Sequence, residues 1–232
     1  MARIGISMEG VYVSVEENLA CIRQSLQGYP VKIVAVTKNQ SVDIMRAAID
    51  AGITAIGENR VQEAQYKFTT LNRQVEWHLV GHLQTNKVRH AVKIFDLIHS
   101  VDSERLAAAI DRAAGQIGKR QDVLIQVNIG GEVQKFGIPP EETLALARVI
   151  SQLPNIRLCG LMTIAPLYEN PEDARPLFRR MYQLFQELKA VNLPNTDIQW
   201  LSMGMTNDYR VAVEEGANMV RIGTGIFGPR NY

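Results

Sequence analysis

The sequence predicts an α/β fold, a single (β/α)8 barrel of the TIM type with an extra N-terminal helix. Three observations predict it. From residue 32 to residue 223, short apolar or β-branched runs alternate strictly with amphipathic helical stretches. Such alternation builds a parallel sheet, because each helix carries the chain back to start the next strand. The candidate strands number eight, the count at which a parallel sheet closes. No Gly-x-Gly-x-x-Gly turn follows any of them, so an open dinucleotide-binding sheet is the lesser alternative.

The chain opens on a predicted helix over about residues 7–26. Val11, Val15, Leu19, Ile22 and Leu26 recur at helical spacing, with Glu16, Glu17 and Arg23 on the other face. Gly28 and Pro30 end it. The strands follow as KIVAVT (32–37), TAIG (54–57), EWHLV (76–80), LIHSV (97–101), DVLIQVN (122–128), RLCGLMT (157–163), IQWLSM (198–203) and MVRIG (219–223). The first, fifth and eighth are nearly continuous apolar runs, as strands buried on both faces require. Helices fill the gaps; the clearest cover 103–117, with Leu106, Ile110 and Ile117, and 171–190, with Leu177, Met181, Leu184 and Leu188. No linker rich in Pro, Gly or Ser interrupts the pattern. The expectation is one domain over 1–232, with residues 1–29 packed outside the barrel.

Composition narrows the function. With 25 Lys and Arg against 24 Asp and Glu the net charge is +1, which gives no general attraction to nucleic acid or anionic membrane. Cys21 and Cys159 stand far apart without ligand spacing, and free thiols in a reducing compartment are expected. The first ten residues lack a basic start followed by an apolar run, so no export signal is expected. No stretch reaches the roughly 18 apolar residues of a membrane helix. Cytoplasmic residence follows as the expectation.

In these barrels the working residues sit at the C-terminal ends of the strands. Lys38 follows the first apolar run there. At the rim of a partly desolvated pocket its ammonium is disfavoured, and the amine becomes a carbonyl nucleophile suited to Schiff-base chemistry. The alternative is a solvated lysine just past a strand. Ser202-Met203-Gly204-Met205 and Arg221-Ile222-Gly223-Thr224-Gly225 end the seventh and eighth strands, where phosphate sites of this fold recur; glycines there alternatively permit turns of positive φ. Arg221 alternates with Val220 and Ile222 and needs a polar partner if it faces the barrel. It suits the pyridine nitrogen of a pyridoxal cofactor, or else an ion pair with Glu214 or Glu215. His78, His82, His90 and His99 offer no third ligand for a metal. Glu58 has no matching acid, and Trp77, Trp200, Phe95 and Phe227 are read as packing residues.

Several stretches together resemble the pyridoxal phosphate homeostasis protein family. They are VTK (36–38), GENRVQE (57–63), WHLVGHLQTNK (77–87), HSVD (99–102), QVNI (126–129), GLMTI (160–164), SMGMTND (202–208) and VRIGT (220–224), in one fixed order. The resemblance implies an alanine racemase N-terminal-like barrel, the fold-type III arrangement, with one pyridoxal 5′-phosphate (PLP) held as a Schiff base on Lys38. It also implies that Ser202, Gly223 and Thr224 hold the phosphate, Arg221 faces the pyridine nitrogen and Asn59 lies near the ring. Phe136 follows Lys135 where the family usually has a small residue, which leaves open whether Lys135 forms a second, transient PLP site.

Two functions compete. A non-catalytic carrier would sequester a reactive aldehyde, take part in vitamin B6 homeostasis and pass PLP to accepting proteins. A PLP-dependent amino-acid racemase needs a base on each face of the substrate α-carbon. In alanine racemases the second base comes from a C-terminal β-domain, and this chain ends at Tyr232, directly after the eighth strand; Tyr168 and Tyr209 are the rim substitutes. The carrier is favoured, as a monomer, since the usual dimer interface belongs to that β-domain. A class I aldolase, a third possibility, would be colourless.

Overall fold

The structure, a computed structural model, describes residues 3–6, 12–132 and 134–229. Two short strands, β1 (Arg3–Ile6) and β2 (Tyr12–Ser14), pair antiparallel ahead of the first helix. The expected helical start at residue 7 is therefore corrected: residues 12–14 are strand, residues 7–11 lie outside the described residues, and α1 spans Val15–Ser25. The cause is local. Ser14 accepts the Glu17 N–H at 3.1 Å, and the Glu17 carboxylate accepts the Ser14 N–H at 2.7 Å. This capping box satisfies two donors at the first turn and sets the boundary.

The predicted barrel follows. Its strands are β3 (Lys32–Val36), β4 (Ala55–Glu58), β5 (Glu76–Leu79), β6 (Leu97–Val101), β7 (Gln121–Val127), β8 (Ile156–Thr163), β9 (Thr196–Ser202) and β10 (Met219–Ile222). They close in chain order, with β10 pairing parallel to β3 at Arg221↔Val34. Between them run α2 (Val42–Asp50), α3 (Val61–Thr70), α4 (Val88–Ile94), α5 (Glu104–Gly115), α6 (Thr143–Ile150), α7 (Arg175–Ala190) and α8 (Tyr209–Glu214), and α9 (Thr224–Phe227) follows β10. Ser41 and Ser103 cap α2 and α5 by accepting backbone N–H groups, each a stabilisation of about 1 kcal/mol.

Alternation along each strand separates two cores. Val34, Ala55, Leu97, Leu124, Met162 and Met219 fill the barrel interior, while Ile56, Ile98, Ile125 and Leu201 belong to the larger cluster shared with the helices. Phe95, Phe227 and Trp77 are buried as expected; Trp200 is half-buried beneath Lys32. Helix α1 lies outside the barrel, against α9 and α2, and Asn18 donates to the Ile226 carbonyl at 2.9 Å. No described helix is long and apolar enough to cross a membrane.

Candidate functional site

The C-terminal ends of β3 and β10, with the loops after β8 and β9, enclose a cavity of about 210 Å³. Lys38, Arg221, Gly223 and Thr224 all line it. Residues up to 186 positions apart in sequence thus meet at one rim, as closure of β10 on β3 demands. Val36, Ala165, Pro166, Leu167 and Met205 supply apolar walls. Lys38 is half-buried.

Two expected residues stand elsewhere. Ser202 is fully buried and does not line the cavity. Its hydroxyl accepts from Arg221 Nη1 at 2.7 Å and lies 3.1 Å from His99 Nδ1, so it supports the arginine from behind. Asn59 is half-buried in the turn before α3 and is also absent from the wall. Its backbone packs so closely on Gly81 that a Cβ there would sit 2.3 Å from the Asn59 carbonyl oxygen.

Arg221 forms no pair with Glu214 or Glu215, which are taken by Arg175 and Arg179. Its second terminal nitrogen donates to the Thr163 carbonyl at 2.7 Å. Burial pushes its pKa down to about 10, opposed by the Asp208 carboxylate. Asp208 also lines the cavity; burial raises its pKa, while the Met205 N–H, 2.6 Å away, favours the charged form.

The hydroxyl cradle beside Arg221 has a member that sequence reasoning passed over. Thr206 Oγ1 accepts from the Gly225 N–H at 3.1 Å and lies 3.2 Å from Thr224 Oγ1. The turn that presents it needs Gly204, whose φ is +90° and whose added Cβ would lie 2.6 Å from Ala212 Cβ. Gly223, by contrast, has φ −112°, so its place is not explained by a left-handed turn. Two hydroxyls and adjacent backbone amides on one wall are the donor set that a phosphate requires. Thr206 stands in the SMGMTND motif, and its hydroxyl, two residues beyond Gly204, was the available signal.

Behind Lys38 lies a second missed element. Lys67 of α3 is 3% exposed and donates to Thr37 O (2.7 Å), Glu58 Oε1 (2.8 Å) and Glu63 Oε1 (2.7 Å). Glu63 also accepts the Asn39 N–H at 2.6 Å. Both peptide flanks of Lys38 are therefore held by one charged cluster. Glu58 is fully buried, with its pKa raised by burial against the pull of Lys67.

Comparison with known proteins gives the arrangement its context. Residues 13–231 match the family described as "Alanine racemase, N-terminal domain". The chain is 44% identical over 214 residues to the "Pyridoxal phosphate homeostasis protein" of Aquifex aeolicus, covering 92% of this chain and 93% of that one. The chain belongs to the pyridoxal phosphate homeostasis family. The human protein of that name is 34% identical over 241 residues, 99% of this chain and 87% of its own. PipY of Synechococcus elongatus, solved with PLP bound, shares the homeostasis-family barrel at TM-score 0.85 and 40% identity, covering 93% of this chain and 100% of PipY. An alanine racemase of Clostridium difficile shares the fold at TM-score 0.80 and 18% identity, and this chain covers 59% of it.

Within this homeostasis-family barrel Lys135 sits beside the cavity wall. It pairs with Glu132 and donates to the Ala165 carbonyl at 3.3 Å. Its neighbour Phe136 is exposed and stacks on His82, with ring centroids 3.9 Å apart.

Proposed function

We propose that this homeostasis-family chain holds PLP reversibly in the rim cavity, as a Schiff base with Lys38, and buffers or delivers it without turning over a substrate. One observation carries the reading: a single cavity unites a half-buried primary amine, a buried guanidinium and a cradle of two threonine hydroxyls. That donor set fits PLP, which has an aldehyde, a ring nitrogen and a phosphate. When bound, PLP supplies an electrophilic carbon to a primary amine.

The chain's own residues divide the work. Lys38 offers the amine, with its backbone steadied on both sides by the Lys67 cluster. Thr206, Thr224 and the amides around Gly223 receive the phosphate, and this reading moves Ser202 from the phosphate to the support of Arg221. Arg221, a donor that stays protonated, faces the ring nitrogen and keeps it unprotonated. Asn59 serves through its backbone, near the ring but off the wall. Lys135 is close enough to the mouth to meet cofactor in transit.

Carriage is favoured over racemisation because neither rim tyrosine is presented as a second base, and the carboxylate in the wall, Asp208, is engaged by the Met205 N–H. Neither Tyr168 nor Tyr209 lines the cavity, and the Tyr209 hydroxyl is held 2.8 Å from Ser25 Oγ of α1. In this reading the molecule works as one domain and one monomer in the reducing cytoplasm, where Cys21 and Cys159 stay free, and its partners are proteins that accept PLP. Titrating pure protein with PLP while recording visible absorbance tests it. One equivalent should saturate the wild type and Lys38→Ala should give no bound band; an unchanged band in the variant refutes the assignment. Conversion of L-alanine to D-alanine by the loaded wild type, lost in Lys38→Ala, would establish the racemase instead.

A further inference from the structure

A chain of buried polar groups runs through the barrel interior beneath the cavity, where apolar packing would be expected. From Arg221 Nη1 the contacts are Ser202 Oγ at 2.7 Å, then His99 Nδ1 at 3.1 Å from that oxygen. His99 Nε2 lies 3.0 Å from His78 Nδ1, and His78 Nε2 lies 3.3 Å from Glu76 Oε2. Glu76 begins β5 at the other mouth of the barrel, where Lys32 Nζ reaches it at 2.6 Å. Ser202 and His99 are fully buried, His78 is 1% exposed, and the Glu76 side chain is 47% exposed. The line therefore joins the cavity floor to solvent at the opposite end.

The two ends dictate the polarity. A guanidinium only donates and a carboxylate only accepts. From the carboxylate end, a neutral His78 donates from Nε2 to Glu76 and so accepts at Nδ1; a neutral His99 then donates from Nε2 to His78 and accepts at Nδ1, which leaves Ser202 to donate to His99 while it accepts from Arg221. Every group in the line is satisfied when both imidazoles are neutral and carry hydrogen on Nε2; reversing either one sets two donors or two acceptors face to face. Burial independently lowers the pKa of both histidines, and Arg221 and His78 lower that of His99 further. The charged groups facing the line are Glu76, Lys32 and Asp96 around His78, Arg221 at His99, and Asp208 at Arg221.

We propose that Ser202, His99 and His78 are positioning residues, a hydrogen-bonded relay of fixed direction that aims Arg221 at the cavity floor and couples it to Glu76 at the far mouth. The functional consequence rests on the reading of the cavity as a PLP site, where Arg221 meets the ring nitrogen. The relay itself does not depend on PLP.

The test has one arm without cofactor and one with it. Long-range 1H–15N spectra of the cofactor-free protein report imidazole tautomers directly. At pH 7 His78 and His99 should both appear neutral with hydrogen on Nε2; an imidazolium, or hydrogen on Nδ1, at either site overturns the relay. Glu76→Ala, at the exposed end where folding is least at risk, should shift the His78 signals and, through them, those of His99. Unchanged signals at both would refute the coupling. With PLP bound, His99→Leu should move the pH midpoint of the visible band by about one unit, the tenfold change expected when a charged hydrogen bond loses its support. His99→Gln, which presents an acceptor towards Ser202 and a donor towards His78, should restore the midpoint. A midpoint that moves equally in both variants, or in neither, contradicts the positioning role. Failure of the wild type to bind PLP would sink the cofactor reading and leave the tautomer result standing.

Discussion

Replacing Lys67 with methionine should destabilise the protein severely and loosen its grip on PLP. The ammonium is buried, makes three bonds of 2.7–2.8 Å, and is the cation beside the fully buried Glu58. Among the described residues Glu58 Oε2 already lacks a hydrogen-bond partner, and without Lys67 the other oxygen keeps the Thr37 hydroxyl at 2.5 Å. Removing one partner of such a pair leaves a buried charge uncompensated and costs about 3–5 kcal/mol. Urea unfolding should show the midpoint falling at constant m. The loss depends on pH. Burial holds the folded pKa of Glu58 above the ordinary 4.5, and loss of Lys67 raises it further. Between 4.5 and that raised value the folded state holds the extra proton, so stability is greatest below 4.5 and declines as pH rises through the window. The deficit of Lys67→Met should thus be small near pH 4.5 and largest near neutrality. Adding Glu58→Gln should recover most of it. A deficit below about 1 kcal/mol at pH 7, against the 3–5 expected for a broken buried pair, would refute the reasoning, as would a double variant no more stable than the single.

Three further outcomes follow from the same structure. Thr206→Val and Thr224→Val should each weaken PLP by about tenfold, one charge-assisted hydrogen bond, while leaving binding of pyridoxal, which lacks the phosphate, unchanged in an absorbance titration. His78 and His99 stay neutral when folded but take up protons below about pH 6.5 when unfolded; stability should be complete above that pH and fall as pH drops beneath it, by up to about 1.4 kcal/mol per unit for each, and His99→Gln should reduce the slope by one proton in pH-dependent urea melts. Gly204→Ala forces a side chain into φ +90° and against Ala212; thermal melts should show a loss of about 1–3 kcal/mol.

Most of the frame was legible before any coordinates. Period-two and period-3.6 patterns revealed eight strands and their helices, and the rule that function lies at strand C-termini brought Lys38, Arg221, Gly223 and Thr224 together. What escaped was whatever depends on side-chain direction across elements. Lys67 reads as one more polar position of an amphipathic helix, and nothing in the spacing from Glu58 reveals that it bends under β3. Ser202 and Thr206 both belong to one motif, and only the turn at Gly204 decides which hydroxyl reaches the cavity. The histidines carry no metal-ligand spacing, and only barrel closure brings His78 of β5 and His99 of the neighbouring β6 within hydrogen-bond reach of each other. The pairing of β1 with β2 was hidden because the helical spacing of Val15, Leu19 and Ile22 carries no mark of where it starts, and only the Ser14 cap sets that boundary.

The central claim is that one amine, at Lys38, captures PLP. Borohydride reduction of the PLP-loaded protein, followed by peptide mass spectrometry, tests it most directly. The account predicts a single dominant adduct on the peptide containing Lys38, lost in Lys38→Ala and kept in Lys135→Ala. A dominant adduct on Lys135 or any other lysine, or none at all, would contradict it.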